Sequence, residues 1–315
     1  MPKTTTNTKT RIIFFGSGQS STLILQDLLL EKDIAVVGVV SQSSKIHTHT
    51  HQRTTPVAQL AQAAKIPFFT PTKLTEITKQ IRQLQPDIGV LFAYGKILPL
   101  ETLDTFPHGI INIHPSLLPL HRGPSPLESI ILAGDTTVGT SIMLITPEMD
   151  AGPILAQDSF TVPANIQKLE LWGKLLEASR SLLMPTLRAY LNHTIAPTPQ
   201  DSSQKPSYSK LIKKQDGDIS PKTITAIQLE RLVRAYSGWP GVRIPILLRD
   251  KPQSLSLHQV KIHGTSTDEI ELYCQNKHLL LQLSGGCIEI LQAQLPGKKI
   301  VTGRDLCNIG EIRLA

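Results

Sequence analysis

Hydrophobic positions in the first two thirds of the chain fall in short, nearly unbroken runs separated by stretches of helical period. Residues 11–16 (RIIFFG), 34–41 (IAVVGVVS), 87–95 (DIGVLFAYG) and 109–116 (GIINIHPS) are apolar and β-rich. Between them, Leu23, Leu25, Leu28 and Leu29 fall in a helical stretch. Residues 56–65 open with a proline at a first helical position, and 127–135 reads as a helix that stops at Gly134. Strands that are apolar throughout, alternating with helices, predict a doubly wound α/β fold with a mostly parallel sheet covered on both faces. A long helical pattern then runs from Ile166 to Tyr190.

The texture changes after that helix. Residues 192–209 (NHTIAPTPQDSSQKPSYS) are rich in Pro, Ser and Gln and carry no apolar period, so a linker is expected there. One helical stretch follows at 225–235, then Gly-Trp-Pro-Gly at 238–241. Five short strand-like runs come next: VRIPILL, LSLHQVKI, EIELYC, HLLLQL and CIEILQAQ. Short strands at close spacing predict a small antiparallel barrel of OB-like type. The expected organisation is a first domain at 1–192, a linker at 193–207 and a barrel-like domain at 208–315.

Composition narrows the class. No apolar run approaches the roughly 18 residues of a membrane span. The opening MPKTTTNTKT is polar where a signal peptide would be apolar, so a cytoplasmic protein is expected. A monomer is expected as well. Aromatic residues make up 4% of the 315 residues, which disfavours an interface built on stacking. Lys and Arg number 32 against 25 Asp and Glu, and the net charge of +7 tilts the expectation towards a polyanionic partner. The three cysteines, Cys274, Cys287 and Cys307, have no close pairing motif and are expected as buried thiols rather than a disulfide or a zinc site.

Candidate chemistry begins at FGSGQSS, residues 15–21. It occupies the place of a dinucleotide-binding glycine fingerprint, but its third glycine is Ser21, and the second strand ends in Ser41 and Gln42 with no acid for a ribose hydroxyl. That argues against a nicotinamide enzyme. Gly16 and Gly18 are expected to form a tight turn lining a pocket. A sharper feature is NIHPSLLP, 112–119. Residues two apart on a strand share a face, so Asn112 and His114 project together. Either they are core side chains satisfied by backbone groups, or they are functional. The strand stops at Pro115, and ligands of open α/β sheets bind beyond the carboxyl ends of strands. An amide donor beside an imidazole suits an oxyanion and proton exchange near neutral pH. Asp150, in the turn TPEMDAG after the run at 140–145, is either an ordinary turn aspartate or the acid that orients the imidazole.

These motifs together, Asn-Ile-His-Pro-Ser-Leu-Leu-Pro, then Arg122-Gly123 and Pro126, then Asp150 with Gly152 and Ile154, resemble the 10-formyltetrahydrofolate-dependent formyltransferases. The likeness runs from Arg11 to Gly310. It implies a Rossmann-like catalytic domain with Asn112, His114 and Asp150 as the catalytic trio. Asn112 and a protonated His114 would stabilise the oxyanion, supported by Asp150. It also implies folate contacts at Ser116, Leu117, Leu118 and Pro119, and a pterin pocket lined by Phe92, Tyr94, Gly95, Thr140 and Met143, with 10-formyltetrahydrofolate as formyl donor and no metal. Residues 210–244 and 291–310 resemble the second domain and basic tail of those members that act on initiator methionyl-tRNA; the alternative acceptor is a sugar-nucleotide amine. Expected tRNA contacts are Lys45, Arg53 and Arg122 in the first part and Lys210, Lys213, Lys214, Arg231, Arg234, Lys298 and Lys299 in the second. The chain departs from the family in its first turn, Gly16–Ser20, and in the loop at 41–56, where His47, His49 and His51 interrupt a usually Arg-, Gly- and Lys-rich segment. Without a nearby carboxylate or Cys, these histidines are expected to be solvated rather than to hold a metal.

Overall fold

The computed structural model describes residues 9–42, 47–48, 51–52, 54–264 and 269–315. It divides into two compact units, one of Met1–Pro124, Gly139–Phe160 and Gly173–Ser207, the other of Ser125–Val138, Thr161–Trp172 and Tyr208–Ala315.

In the first stretch, β1 (Thr10–Phe15) buries Ile12 through Phe15 completely, and a turn at Gly16 and Gly18 leads straight into α1 (Gln19–Leu30). A Cβ at Gly16 would lie 2.7 Å from the Phe14 ring, so the tight turn excludes any larger residue. β2 (Ile34–Val40) pairs parallel to β1. A small antiparallel pair, β3 (His47–Thr48) and β4 (His51–Gln52), precedes α2 (Pro56–Ala63), whose first turn is capped by Thr55 accepting from the Ala58 N–H at 3.2 Å. Then come β5 (Phe68–Phe69), α3 (Thr78–Gln83), β6 (Ile88–Leu91), α4 (Leu100–Leu103) and β7 (Ile110–His114). α5 (Pro126–Ala133) ends at Gly134, which takes the left-handed conformation at φ 78°, as the sequence signal predicts. β8 (Thr137–Leu144), β9 (Ile154–Thr161) and the 24-residue α6 (Lys168–Leu191) complete the series.

The strands form one seven-stranded sheet in the order β5-β2-β1-β6-β7-β8-β9. The pairs from β5 through β7 are parallel, and β8 is antiparallel to β7, so the expected doubly wound sheet carries an antiparallel flank. β7 therefore lies between a parallel and an antiparallel neighbour, with Asn112 opposite Leu91 on one side and Met143 on the other.

The second unit contains α7 (Ala226–Ala235), started by a reciprocal cap between Thr225 and Gln228, followed by β10 (Val242–Leu248), β11 (Lys251–Ile262), β12 (Glu271–Gln275), β13 (His278–Leu283), β14 (Gly286–Gln294), β15 (Val301–Thr302), α8 (Gly303–Ile309) and β16 (Ile312–Leu314). The antiparallel order is β12-β13-β14-β11-β10-β16, with β15 on β14, and the terminal strands β12 and β16 lie against each other. A sheet that nearly meets itself is the expected barrel. Alternate residues of β10, namely Val242, Ile244, Ile246 and Leu248, point into its core.

The expectation of three free thiols is corrected. Cys274 of β12 and Cys307 of α8 form a disulfide with Cα atoms 5.8 Å apart, and only Cys287 is a free, buried thiol. The pairing was invisible in the sequence because 33 residues separate the two positions; α8 packs against β13, the strand that pairs with β12, and this brings the two cysteines together. Among the described residues, no helix is long and apolar enough to cross a membrane.

Candidate active site

The pleat of β7 sends Ile111 and Ile113 to one side, both essentially without exposure, and Asn112 and His114 to the other, 8% and 4% exposed. Across from them, the turn after β8 brings in Asp150 in the left-handed region at φ 50°, which aspartate tolerates better than most residues. Its carboxylate is the hub of the site. One oxygen, Oδ2, accepts the Gly123 N–H at 2.7 Å and lies 3.8 Å from His114 Nδ1; the other, Oδ1, accepts from Asn112 Nδ2 at 3.4 Å. The three side chains singled out in the sequence are thus gathered around one point at the carboxyl end of β7.

The ring of His114 is fixed from its far side, where Nε2 lies 3.0 Å from the His121 carbonyl. A carbonyl only accepts, so Nε2 carries the proton and donates it, and Nδ1 is the nitrogen facing Asp150. Burial pushes the imidazole below the ordinary histidine value, against the opposing pull of Asp150 and of the His121 carbonyl. The burial thus favours the neutral ring, which carries its lone pair on Nδ1.

The loop that follows β7 is braced by hydroxyls of β8. Ser141 Oγ donates to Ser116 O at 2.6 Å and accepts from the Leu118 N–H at 3.1 Å, and Thr140 Oγ1 donates to His114 O at 3.1 Å. Gln157 Nε2 reaches Leu118 O at 2.9 Å. Ser116, Leu118 and Pro119 are buried in this loop and Leu117 is half-buried. Thr140 and Met143, the other expected pocket residues, are buried on β8.

The turn after β6 alternates. Phe92 and Tyr94 bury their side chains, whereas Ala93 and Gly95 are exposed, at φ 49° and 71°. Tyr94 packs edge-on against Phe15 at a centroid distance of 5.7 Å; its hydroxyl has no hydrogen-bond partner among the described residues, and desolvation raises its pKa to about 12. The Phe92 and Tyr94 rings are thus core anchors, and Ala93 and Gly95 are the residues that the segment turns outward.

The expected tRNA contacts separate in the same way. Lys210, Lys213, Lys214, Lys298 and Lys299 are exposed. Arg122 and Arg234 are buried at 7% and 6%: the Arg122 guanidinium bonds Gln200 Oε1, and Arg234 is clamped by both oxygens of Glu230 at 2.6 and 2.8 Å. Arg231 bonds the Leu132 and Ala133 carbonyls at the end of α5. These three arginines serve the fold where the sequence suggested phosphate contacts. Lys45 and Arg53 lie outside the described residues, as does His49.

Sequence reasoning gave no role to Gly123, His121 and Gln200, all of which touch the site, whereas Ser141 fell inside the expected pocket stretch 140–144. Gly123 and His121 flank Arg122 in a recognised motif, and Ser141 alternates with Met143 on β8. Gln200 gave no signal, since it stands in the stretch read as a linker.

A family model described as formyl transferase matches residues 10–187, and a second, formyl transferase C-terminal domain, matches 211–310. The methionyl-tRNA formyltransferase of Chloroflexus aggregans is 42% identical over 234 residues, covering 73% of this chain and 75% of that protein. Its counterpart from Chloroflexus aurantiacus is 35% identical over 300 residues, covering 93% and 94%. In fold, the chain is similar to HypX from Aquifex aeolicus, solved in complex with tetrahydrofolic acid, at a TM-score of 0.59 and 15% identity; 95% of this chain is covered, which spans 47% of that longer protein. With both family models matched in order and relatives of this similarity along nearly its whole length, the chain belongs to the methionyl-tRNA formyltransferase family.

Proposed function

We propose that the protein transfers a formyl group from 10-formyltetrahydrofolate to the α-amino group of methionyl initiator tRNA in the cytoplasm, with catalysis in residues 1–192 and tRNA binding supported by 208–315. The observation that carries this is the Asp150 carboxylate, shared by Asn112, the Gly123 N–H and the face of His114. Bound beside them, the donor supplies the formyl carbon and, in N10, the leaving amine. The apolar, hydroxyl-braced loop at Ser116–Pro119 and the exposed main chain at Ala93 and Gly95 are suited to a flat, hydrogen-bonding ring system.

Asn112 Nδ2 donates to the formyl oxygen as negative charge develops there. The neutral His114 takes, on Nδ1, the proton that the attacking amine loses when the new C–N bond forms. Asp150, 3.8 Å away, stabilises the imidazolium so produced. His114 then delivers the same proton to N10 as the old C–N bond breaks, leaving a formamide and tetrahydrofolate. Proton count and charge return to their starting values.

The pH dependence follows from the burial of His114. Its pKa is depressed, so the working neutral form persists below the ordinary histidine value of about 6.5, and kcat at saturating substrates falls only at lower pH. Asp150→Asn removes the charge that favours imidazolium and should move that acid limb further down, besides lowering the plateau. A limb that stays in place when Asp150 is replaced speaks against the pairing.

The function is tested by mixing the protein with 10-formyltetrahydrofolate and methionyl initiator tRNA and detecting formylmethionine, with charged elongator tRNA in parallel. Contacts through the exposed lysines 210, 213, 214, 298 and 299 release counterions, so KM for the tRNA should rise steeply between 50 and about 200 mM salt. A small sugar-nucleotide acceptor would give a nearly flat salt response, and turnover of that acceptor in place of the tRNA would reject the assignment.

A further inference from the structure

The acid at the hub of the site is held by its main chain as well as by its carboxylate. Gln200 Nε2 donates to Asp150 O at 2.7 Å and to Gly152 O at 2.9 Å. Its Oε1 accepts from Arg122 Nε at 3.1 Å and from a terminal guanidinium nitrogen at 2.7 Å. These four bonds fix the amide's orientation, because the reversed amide would turn NH2 against guanidinium donors and oxygen against two carbonyls.

The next residue after Arg122 is Gly123, whose N–H donates to Asp150 Oδ2 at 2.7 Å. One side chain thereby ties the turn that carries Asp150 to the loop that receives its carboxylate. Such a tie fixes a turn in which Asp150 stands in the left-handed region at φ 50°. The Gln200 segment is itself fixed to the same loop, since Ser207 accepts the Arg122 N–H on its carbonyl at 2.9 Å and the His121 N–H on Oγ at 2.8 Å. Tyrosine-free and polar, residues 198–207 have no hydrophobic reason to lie here; the hydrogen bonds are the reason.

We propose that Gln200, backed by Arg122, is a positioning residue for catalysis, setting where the Asp150 carboxylate stands relative to His114 and Asn112. The proposal rests on the formyl-transfer function above. A displacement of about an ångström in such a constellation typically costs a large factor in turnover while leaving ground-state binding nearly intact.

Gln200→Ala and the isosteric Gln200→Glu test this. Glutamate keeps the Arg122 contact but turns an acceptor oxygen onto the Asp150 and Gly152 carbonyls. In both variants, kcat per folded molecule should fall at least about tenfold, with KM for donor and tRNA within about threefold of wild type. Arg122→Ala added to Gln200→Ala should cost much less than the product of the two single losses, because both act through one turn. Should Gln200→Ala fail to fold, Gln200→Glu decides alone. The positioning role is overturned if Gln200→Glu keeps kcat within twofold of wild type, or if its defect appears only in KM or thermal stability. Wild type assayed alongside separates the two claims: absence of formyl transfer by wild type rejects the function itself, whereas a normal wild-type rate with unaffected variants rejects only the role of Gln200.

Discussion

His114→Ala is expected to lower kcat by about 10²- to 10⁴-fold, the range for removal of a positioned acid–base group. The variant should stay folded, because the ring lies at a strand end and what it leaves behind is the His121 backbone carbonyl. Asn112→Ala should cost on the order of 10²- to 10³-fold through loss of an oxyanion donor. Asp150→Ala is expected to match His114→Ala and not to multiply it, since the carboxylate acts mainly on an imidazole already gone in the double variant. Single-turnover measurements with saturating donor and methionyl-tRNA read these losses apart from product release. Turnover near wild type in His114→Ala would remove the imidazole from the mechanism.

Gly152→Ala should damage stability and turnover together. A Cβ there would stand 1.8 Å from the Leu144 carbonyl oxygen and 3.2 Å from the Met143 side chain. The first neighbour is backbone, so β8 and the turn after it must separate, a repacking that costs about 1–3 kcal/mol and sometimes more. For a unit of this size, that is a fall of roughly 2–4 °C in Tm for each kcal/mol. The turn bearing Asp150 moves with it, and kcat should drop about tenfold or more. Gly173→Ala makes the contrast. That glycine is exposed in α6 with nothing within 4 Å of its would-be Cβ, so alanine should stabilise the helix by about 0.5–1 kcal/mol and leave kcat alone. Equal thermal shifts in the two variants would show that the steric account of Gly152 is mistaken.

Much of the molecule was legible in the chain because its signals are local. Uninterrupted apolar runs specify strands buried on both faces, so β1, β2, β6 and β7 stood where the pattern put them. Proline at the start of α2 and a left-handed glycine after α5 marked helix ends through backbone geometry alone. The period of two on β7 placed Asn112 and His114 on one face, and the motif around them indicated which acid to seek. Side-chain identity and spacing along a strand are enough for each of these.

The tertiary structure decided what depends on distant partners. Whether Arg122 and Arg234 meet solvent or an internal acceptor turns on Gln200 and on Glu230, and no local pattern carries that information for Arg122, 78 residues from its partner. Burial, not sequence, lowers the pKa of His114, and the His121 carbonyl on Nε2 makes Nδ1 the nitrogen that faces Asp150. Tyr94 and Gly95 are neighbours with opposite fates because the chain between β6 and α4 alternates between core and surface. Cys274 and Cys307 meet only because α8 folds back onto β13, the strand beside β12. Periodicity and motif fix what a segment becomes and which chemistry it carries; the environment that sets charge state, exposure and orientation is assembled from residues far away in the chain.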